Sequence, residues 1–119
     1  MTQILIVDDE PEATATLSKF LGTRGYAIET AADGAEALAR VRETQYDVVM
    51  TDLRMPGMDG ADFLARVRQE QPTLPVVVMT GHTNLEGQDE VWARAGVRAV
   101  LHKLLNLREL SNLLTSLLP

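Results

Sequence analysis

Four places in the chain carry side chains suited to chemistry at a charged oxygen centre. They are the acidic run Asp8-Asp9-Glu10, the lone Asp52, the hydroxyl of Thr80 before Gly81, and the ammonium of Lys103. Each follows a short apolar, β-branched stretch. Carboxylates crowded at one point repel, and a hard divalent cation relieves that penalty. Oxygen-only donors with no His or Cys favour Mg2+ over zinc. Mg2+ prefers one or two carboxylates together with water and phosphate oxygens. A carboxylate can act as a nucleophile and become an acyl phosphate, while a cation, an ammonium and a hydroxyl neutralise the transferred group. Asp8, Asp9 and Asp52 against Lys103 leave about −2, which one Mg2+ balances. Each residue alone has a plainer reading. Adjacent Asp residues are ordinary turn or cap residues, and an isolated lysine is ordinarily solvated. Their joint occurrence at four successive strand ends is what those plainer readings explain badly.

Placing these groups together is the task of the elements between them. Strands are expected at Gln3–Val7, Tyr26–Thr30, Asp47–Thr51, Pro75–Met79 and Arg98–His102, several of them nearly continuous apolar runs. Such runs suit parallel strands covered on both faces. Helical spacing appears between them. Ala13, Leu17, Phe20 and Leu21 share a face, with Gly25 as a stop. Ala35, Leu38 and Val41 make a second face, with Asp33 as its cap. Phe63, Leu64 and Val67 mark a third. The segment between Asn84 and Gly96 is the weakest. Leu107, Leu110, Leu113, Leu114, Leu117 and Leu118 give the last helix a broad stripe, wide enough to suggest a partner or dimer surface. Strand-first alternation implies an α/β fold, a doubly wound (βα)5 with a five-stranded parallel sheet and right-handed crossovers. In such sheets ligands bind beyond the carboxyl ends of the strands.

Bulk properties set the bounds. The chain has 119 residues, 45% hydrophobic, a size and composition suited to a single domain over 1–119 with a real core. With no cysteine there is no disulfide, thiolate site or cysteine nucleophile, which suits a cytoplasmic setting. A net charge of −6 without a basic run argues against nucleic-acid binding by this domain. No apolar stretch approaches the roughly 20 residues needed to cross a bilayer, and no basic, cleavable leader opens the chain.

The motifs Ile6-Val7-Asp8-Asp9-Glu10-Pro11, Thr51-Asp52 through Gly60, Met79-Thr80-Gly81-His82 and Lys103 resemble those of receiver domains of bacterial two-component response regulators. The resemblance covers residues 3 to 118. It implies a flavodoxin-like fold with strand order 2-1-3-4-5. It further implies that Asp52 accepts phosphate from a sensor histidine kinase. Asp9 binds Mg2+ directly, Asp8 directly or through water, and Arg54 through its backbone carbonyl. Thr80 and Lys103 then meet the phosphoryl group, while Arg54 and His82 hold two variable places that tune acyl-phosphate hydrolysis. The output would be a downstream protein or a second copy on the face made by the 84–96 segment, the fifth strand and the last helix. Such a domain is not an enzyme in the usual sense, although it catalyses its own phosphorylation and dephosphorylation.

Two positions depart from the family pattern. Leu104 stands where Pro usually follows the lysine. A non-proline cis bond costs roughly 2.5–4 kcal/mol, so a trans Lys103–Leu104 bond is expected. Val100 stands where Tyr or Phe usually reports phosphorylation to the surface, and a β-branched side chain cannot make that swing. A pseudo-receiver that keeps the fold without the switch is therefore an alternative. A phosphohydrolase of the haloacid dehalogenase type would need Asp-x-Asp at the first strand end and a cap domain. A flavin-binding flavodoxin would need a phosphate-cradling loop where the acids stand.

Overall fold

The apolar runs form strands because each can bury both of its faces. The computed structural model describes residues 2–52, 54–55, 58–80, 96–102 and 106–118; side chains at 54–55, 58–61, 80 and 102 are outside that description. Five strands make one parallel sheet: β1 (Gln3–Val7), β2 (Ala27–Ala31), β3 (Val48–Asp52), β4 (Val76–Thr80) and β5 (Val97–His102), in the order β2-β1-β3-β4-β5. The helices are α1 (Pro11–Gly22), α2 (Gly34–Glu43), α3 (Gly60–Glu70) and a C-terminal helix (Leu107–Leu117). Two-residue strands Arg54–Met55 and Met58–Asp59 pair as a small hairpin after β3. The doubly wound α/β fold with order 2-1-3-4-5 is thus present, and the 84–95 segment lies outside the described residues.

Strand alternation divides the core in two. Leu5, Val7, Val49, Val76 and Val78 face α2 and α3, where they meet Leu38, Val41, Phe63, Leu64 and Val67. Ile4, Ile6, Val48, Met50, Val77 and Met79 face α1 and the C-terminal helix, meeting Leu17, Leu21, Leu110 and Leu114. Each such side chain, fully buried, contributes about 1.5–3 kcal/mol. The sheet therefore holds its strand ends rigidly.

Local chemistry sets the joints. Asp33 caps α2 by accepting from the Glu36 N–H at 2.8 Å, and Glu36 accepts in return from Ala32 N–H at 3.1 Å. The pair resembles a capping box, except that Glu36 reaches the N–H one residue before the cap rather than that of Asp33 itself. Gly25, at φ 91, turns the chain from α1 into β2. The buried face of α2 is Gly34, Ala37, Leu38 and Val41, while Ala35 is exposed. The i, i+3, i+4, i+7 row wins over the i, i+3, i+6 row expected from the sequence, because the latter drifts around the helix. On the C-terminal helix the buried residues are Leu110 and Leu114, with Leu118 just beyond. Leu107, Leu113 and Leu117 pack half-buried against the same core.

One irregularity concerns β5. Val76 pairs with Val97 but Val77 pairs with Ala99, so Arg98 is an extra residue, a β-bulge. The bulge puts both Val97 and Val100 against the α2–α3 side, with Ala99 and Leu101 on the other. Just before it, the Arg68 guanidinium donates to the carbonyls of Gln71 (3.1 Å), Pro72 (2.8 Å) and Leu74 (2.8 Å). Gly96, at φ 78, passes directly over that guanidinium.

Candidate functional site

The register of the sheet assembles the acids. Val7 of β1 pairs with Thr51 of β3, so Asp8 and Asp52 are the next positions on adjacent strands. Neighbouring strands lie about 4.8 Å apart. Asp52 in turn pairs with Met79 of β4, and Thr80 pairs with His102 of β5. The four strand ends therefore lie side by side in the order β1-β3-β4-β5. Asp52 and Thr80 are the last residues of their strands rather than the first of the following loops. Strand geometry fixes their backbones.

Burial differs sharply among the acids. Asp8 is 2% exposed and Asp52 7%, whereas Asp9 and Glu10 are exposed. The Asp8 N–H continues the ladder by donating to Ala31 O at 3.1 Å, and Asp8 Oδ1 accepts from the Glu10 N–H at 3.0 Å. Thr51 turns its hydroxyl to the Asp52 carbonyl at 2.9 Å. One carboxylate oxygen each from Asp8, Asp9 and Glu10 lie within 4.8 Å of one another. A cleft of about 160 Å³ opens beside Asp8 and Asp9, with Pro11, Thr14 and Thr30 on its walls.

A buried carboxylate beside two others is costly in an apolar setting. An oxygen-only donor set, partly buried and partly open to water, fits a hard divalent cation that keeps some of its waters. The residues present therefore suit Mg2+ chemically. Arg54, expected to offer its carbonyl, sits two residues after Asp52 in the hairpin strand that pairs with Asp59. Lys103, Leu104 and His82 lie outside the described residues, as does the Thr80 side chain. Glu10, the last of the acidic run Asp8-Asp9-Glu10, brings its carboxylate into the same group.

A family model described as the response regulator receiver domain matches residues 4–115. Among curated relatives, transcriptional regulatory protein TcrA of Mycobacterium tuberculosis is 36% identical over 78 residues, 66% of this chain and 31% of that protein. The chain spans less than a third of the length of the first such relatives. Among solved structures, the chemotaxis response regulator CheY4 of Vibrio cholerae superposes with a TM-score of 0.89 at 33% identity, covering 99% of both chains. The response regulator protein TrrA of Thermotoga maritima, in complex with Mg(2+)-BeF, gives 0.88 at 31% identity, covering 99% of this chain and 100% of that one. With that family model matching almost the whole chain, this chain belongs to the response regulator receiver domains of two-component signal transduction.

Proposed function

We propose that this domain is a Mg2+-dependent phosphoacceptor whose Asp52 takes a phosphoryl group from a phosphohistidine of a sensor kinase. The observation that carries this reading is the register: β1 and β3 put Asp8 and Asp52 at adjacent strand ends, next to Asp9. An Asp52 carboxylate oxygen forms the new P–O bond as the P–N bond to the donor imidazole breaks, and the imidazole leaves after taking up a proton. Asp8, Asp9, Asp52 and the Arg54 carbonyl would hold the Mg2+. When bound, that ion supplies positive charge to the phosphoryl oxygens during transfer. Asp52, held by strand pairing with Met79, presents its carboxylate at a fixed position and loses little freedom on reacting. Thr80, at the adjacent strand end, is assigned as hydrogen-bond donor to the transferred group. Lys103, one residue after His102, is assigned as its counter-charge. The domain acts as a switched partner, not as an enzyme on outside substrates, and its downstream protein or second copy would meet the β5 and C-terminal-helix face.

Two further features support this reading. The TrrA structure is similar throughout and is described as a complex with Mg(2+)-BeF. Among the described residues no helix is long and apolar enough to cross a membrane, in keeping with a cytoplasmic phosphorelay. The reading is tested by incubating the protein with Mg2+ and acetyl phosphate and weighing it intact. One added phosphoryl group is expected, lost on chelation and absent from Asp52→Asn. An unmodified wild type would reduce the domain to a protein-binding module.

A further inference from the structure

Among the described residues the buried polar ones are Asp8, Thr51 and Asp52. Asp8 and Asp52 belong to the proposed site, and Thr51 does not. Its register partners are Val7 on β1 and Val78 on β4, both in the apolar layer that faces α2 and α3. Packing between two valines asks only for a β-branched shape. Valine would supply that shape without the cost of burying a hydroxyl. A hydroxyl is nonetheless present, fully buried, and it donates to the Asp52 carbonyl at 2.9 Å.

We infer that Thr51 is a positioning residue for phosphoryl transfer, its hydroxyl holding the Asp52 backbone so that the carboxylate points in one direction. The inference rests on Asp52 being the phosphoacceptor proposed above. Pairing with β1 stops at Val7 and Thr51, one residue short of Asp52, while pairing with β4 continues to Met79. The peptide that enters Asp52 is therefore flanked by strands on both sides, and the one that leaves it on one side. The Thr51 hydroxyl adds the second constraint. By holding the Asp52 carbonyl it holds the whole plane of the peptide that follows. With the planes on both sides of the Asp52 Cα held, its Cα–Cβ bond has a single direction. The carboxylate then meets the donor with less freedom to lose. The same plane sets the course of the chain toward Arg54, whose carbonyl is assigned to the Mg2+. The plainer reading is a core threonine whose hydroxyl takes the nearest carbonyl to avoid being left unpaired. In that reading the hydroxyl matters to stability and not to transfer.

Three variants separate these readings. Thr51→Val keeps the shape and loses the hydroxyl, Thr51→Ser keeps the hydroxyl and loses a buried methyl, and Thr51→Ala loses both. Each is compared with wild type by urea unfolding, and by the initial rate of acyl-phosphate formation with Mg2+ and acetyl phosphate, followed by intact mass under conditions where all are folded. Thr51→Ser and Thr51→Ala should both be less stable than wild type, through the missing methyl. The rates should sort by the hydroxyl instead. Thr51→Ser should react within about twofold of wild type, and Thr51→Val and Thr51→Ala about three- to tenfold more slowly, the range one hydrogen bond supports. Rates that follow stability, or a Thr51→Val rate within about twofold of wild type, would overturn the role of Thr51 and leave Asp52 as the phosphoacceptor. A wild type that takes up no phosphoryl group would overturn both.

Discussion

Replacing Gly96 with Ala should destabilise the domain through two separable effects. The first is conformational. Gly96 sits at φ 78, and an L-residue in that left-handed region costs roughly 1–2 kcal/mol. The second is a collision, because a Cβ on Gly96 would stand 2.1 Å from Arg68 Nη2 and 2.6 Å from Cζ. The guanidinium is the far end of a flexible side chain, so it can move, but it gives up bonds in doing so. It donates to three carbonyls, at 3.1, 2.8 and 2.8 Å. Burial, and then the charge of Arg98, already disfavour its protonated form, so these bonds hold a partly desolvated cation in place. Losing one or two of them costs about 1–3 kcal/mol. Gly96→Ala should therefore cost about 2–5 kcal/mol in urea unfolding. In an Arg68→Ala background the same change should cost only the conformational part, about 1–2 kcal/mol, leaving a coupling of about 1–3 kcal/mol. Strictly additive single and double variants would refute the collision argument. The bulge and the position of Val100 on the α2–α3 side both begin at this joint.

Two further tests address other joints. Asp33→Ala should cost about 1 kcal/mol in chemical unfolding and Asp33→Ser much less, because a hydroxyl can still accept from the Glu36 N–H. Tyr46 donates its hydroxyl to Glu29, and its phenol is pushed up from 10.0 to about 12, first by burial, then by that hydrogen bond and the Glu29 charge. A folded value above the unfolded one means the contribution to stability is complete below pH 10 and fades as pH rises toward about 12. Unfolding free energies measured across that window should fall more steeply for wild type than for Tyr46→Phe; parallel slopes would contradict the assignment.

Much of this architecture was legible in residue order because it rests on local rules. Continuous apolar runs such as Ile4–Val7 and Val76–Met79 mark two-sided burial, and Asp33 marks a helix start by its side chain alone. The acids of the site were legible as well, since parallel strands of similar length bring their ends to one edge. Strand limits were less so. β2, β3 and β4 each begin and end one residue later than the apolar pattern suggests, because ladder pairing continues through polar Asp52 and Thr80 when the neighbouring strand supplies partners. Features that depend on distant partners left no local mark. The Arg98 bulge needs the β4 register to be seen, and Gly96 needs Arg68, 28 residues earlier, to explain it. The Lys103–Leu104 bond expected to be trans lies outside the described residues. Val100 is half-buried against the α2–α3 core, and its consequence for output is a matter for the phosphorylated protein.

The central claim is that one carboxylate, at the end of β3, receives the phosphoryl group. An acyl phosphate is reduced by borohydride to an alcohol, which turns a phosphorylated aspartate into homoserine and marks it permanently. Protein treated with Mg2+ and acetyl phosphate, then borohydride, should yield by tandem mass spectrometry a peptide with homoserine at position 52 and unmodified Asp8 and Asp9. Homoserine at 8 or 9, or at no position while Mg2+ and donor are both present, would contradict the account.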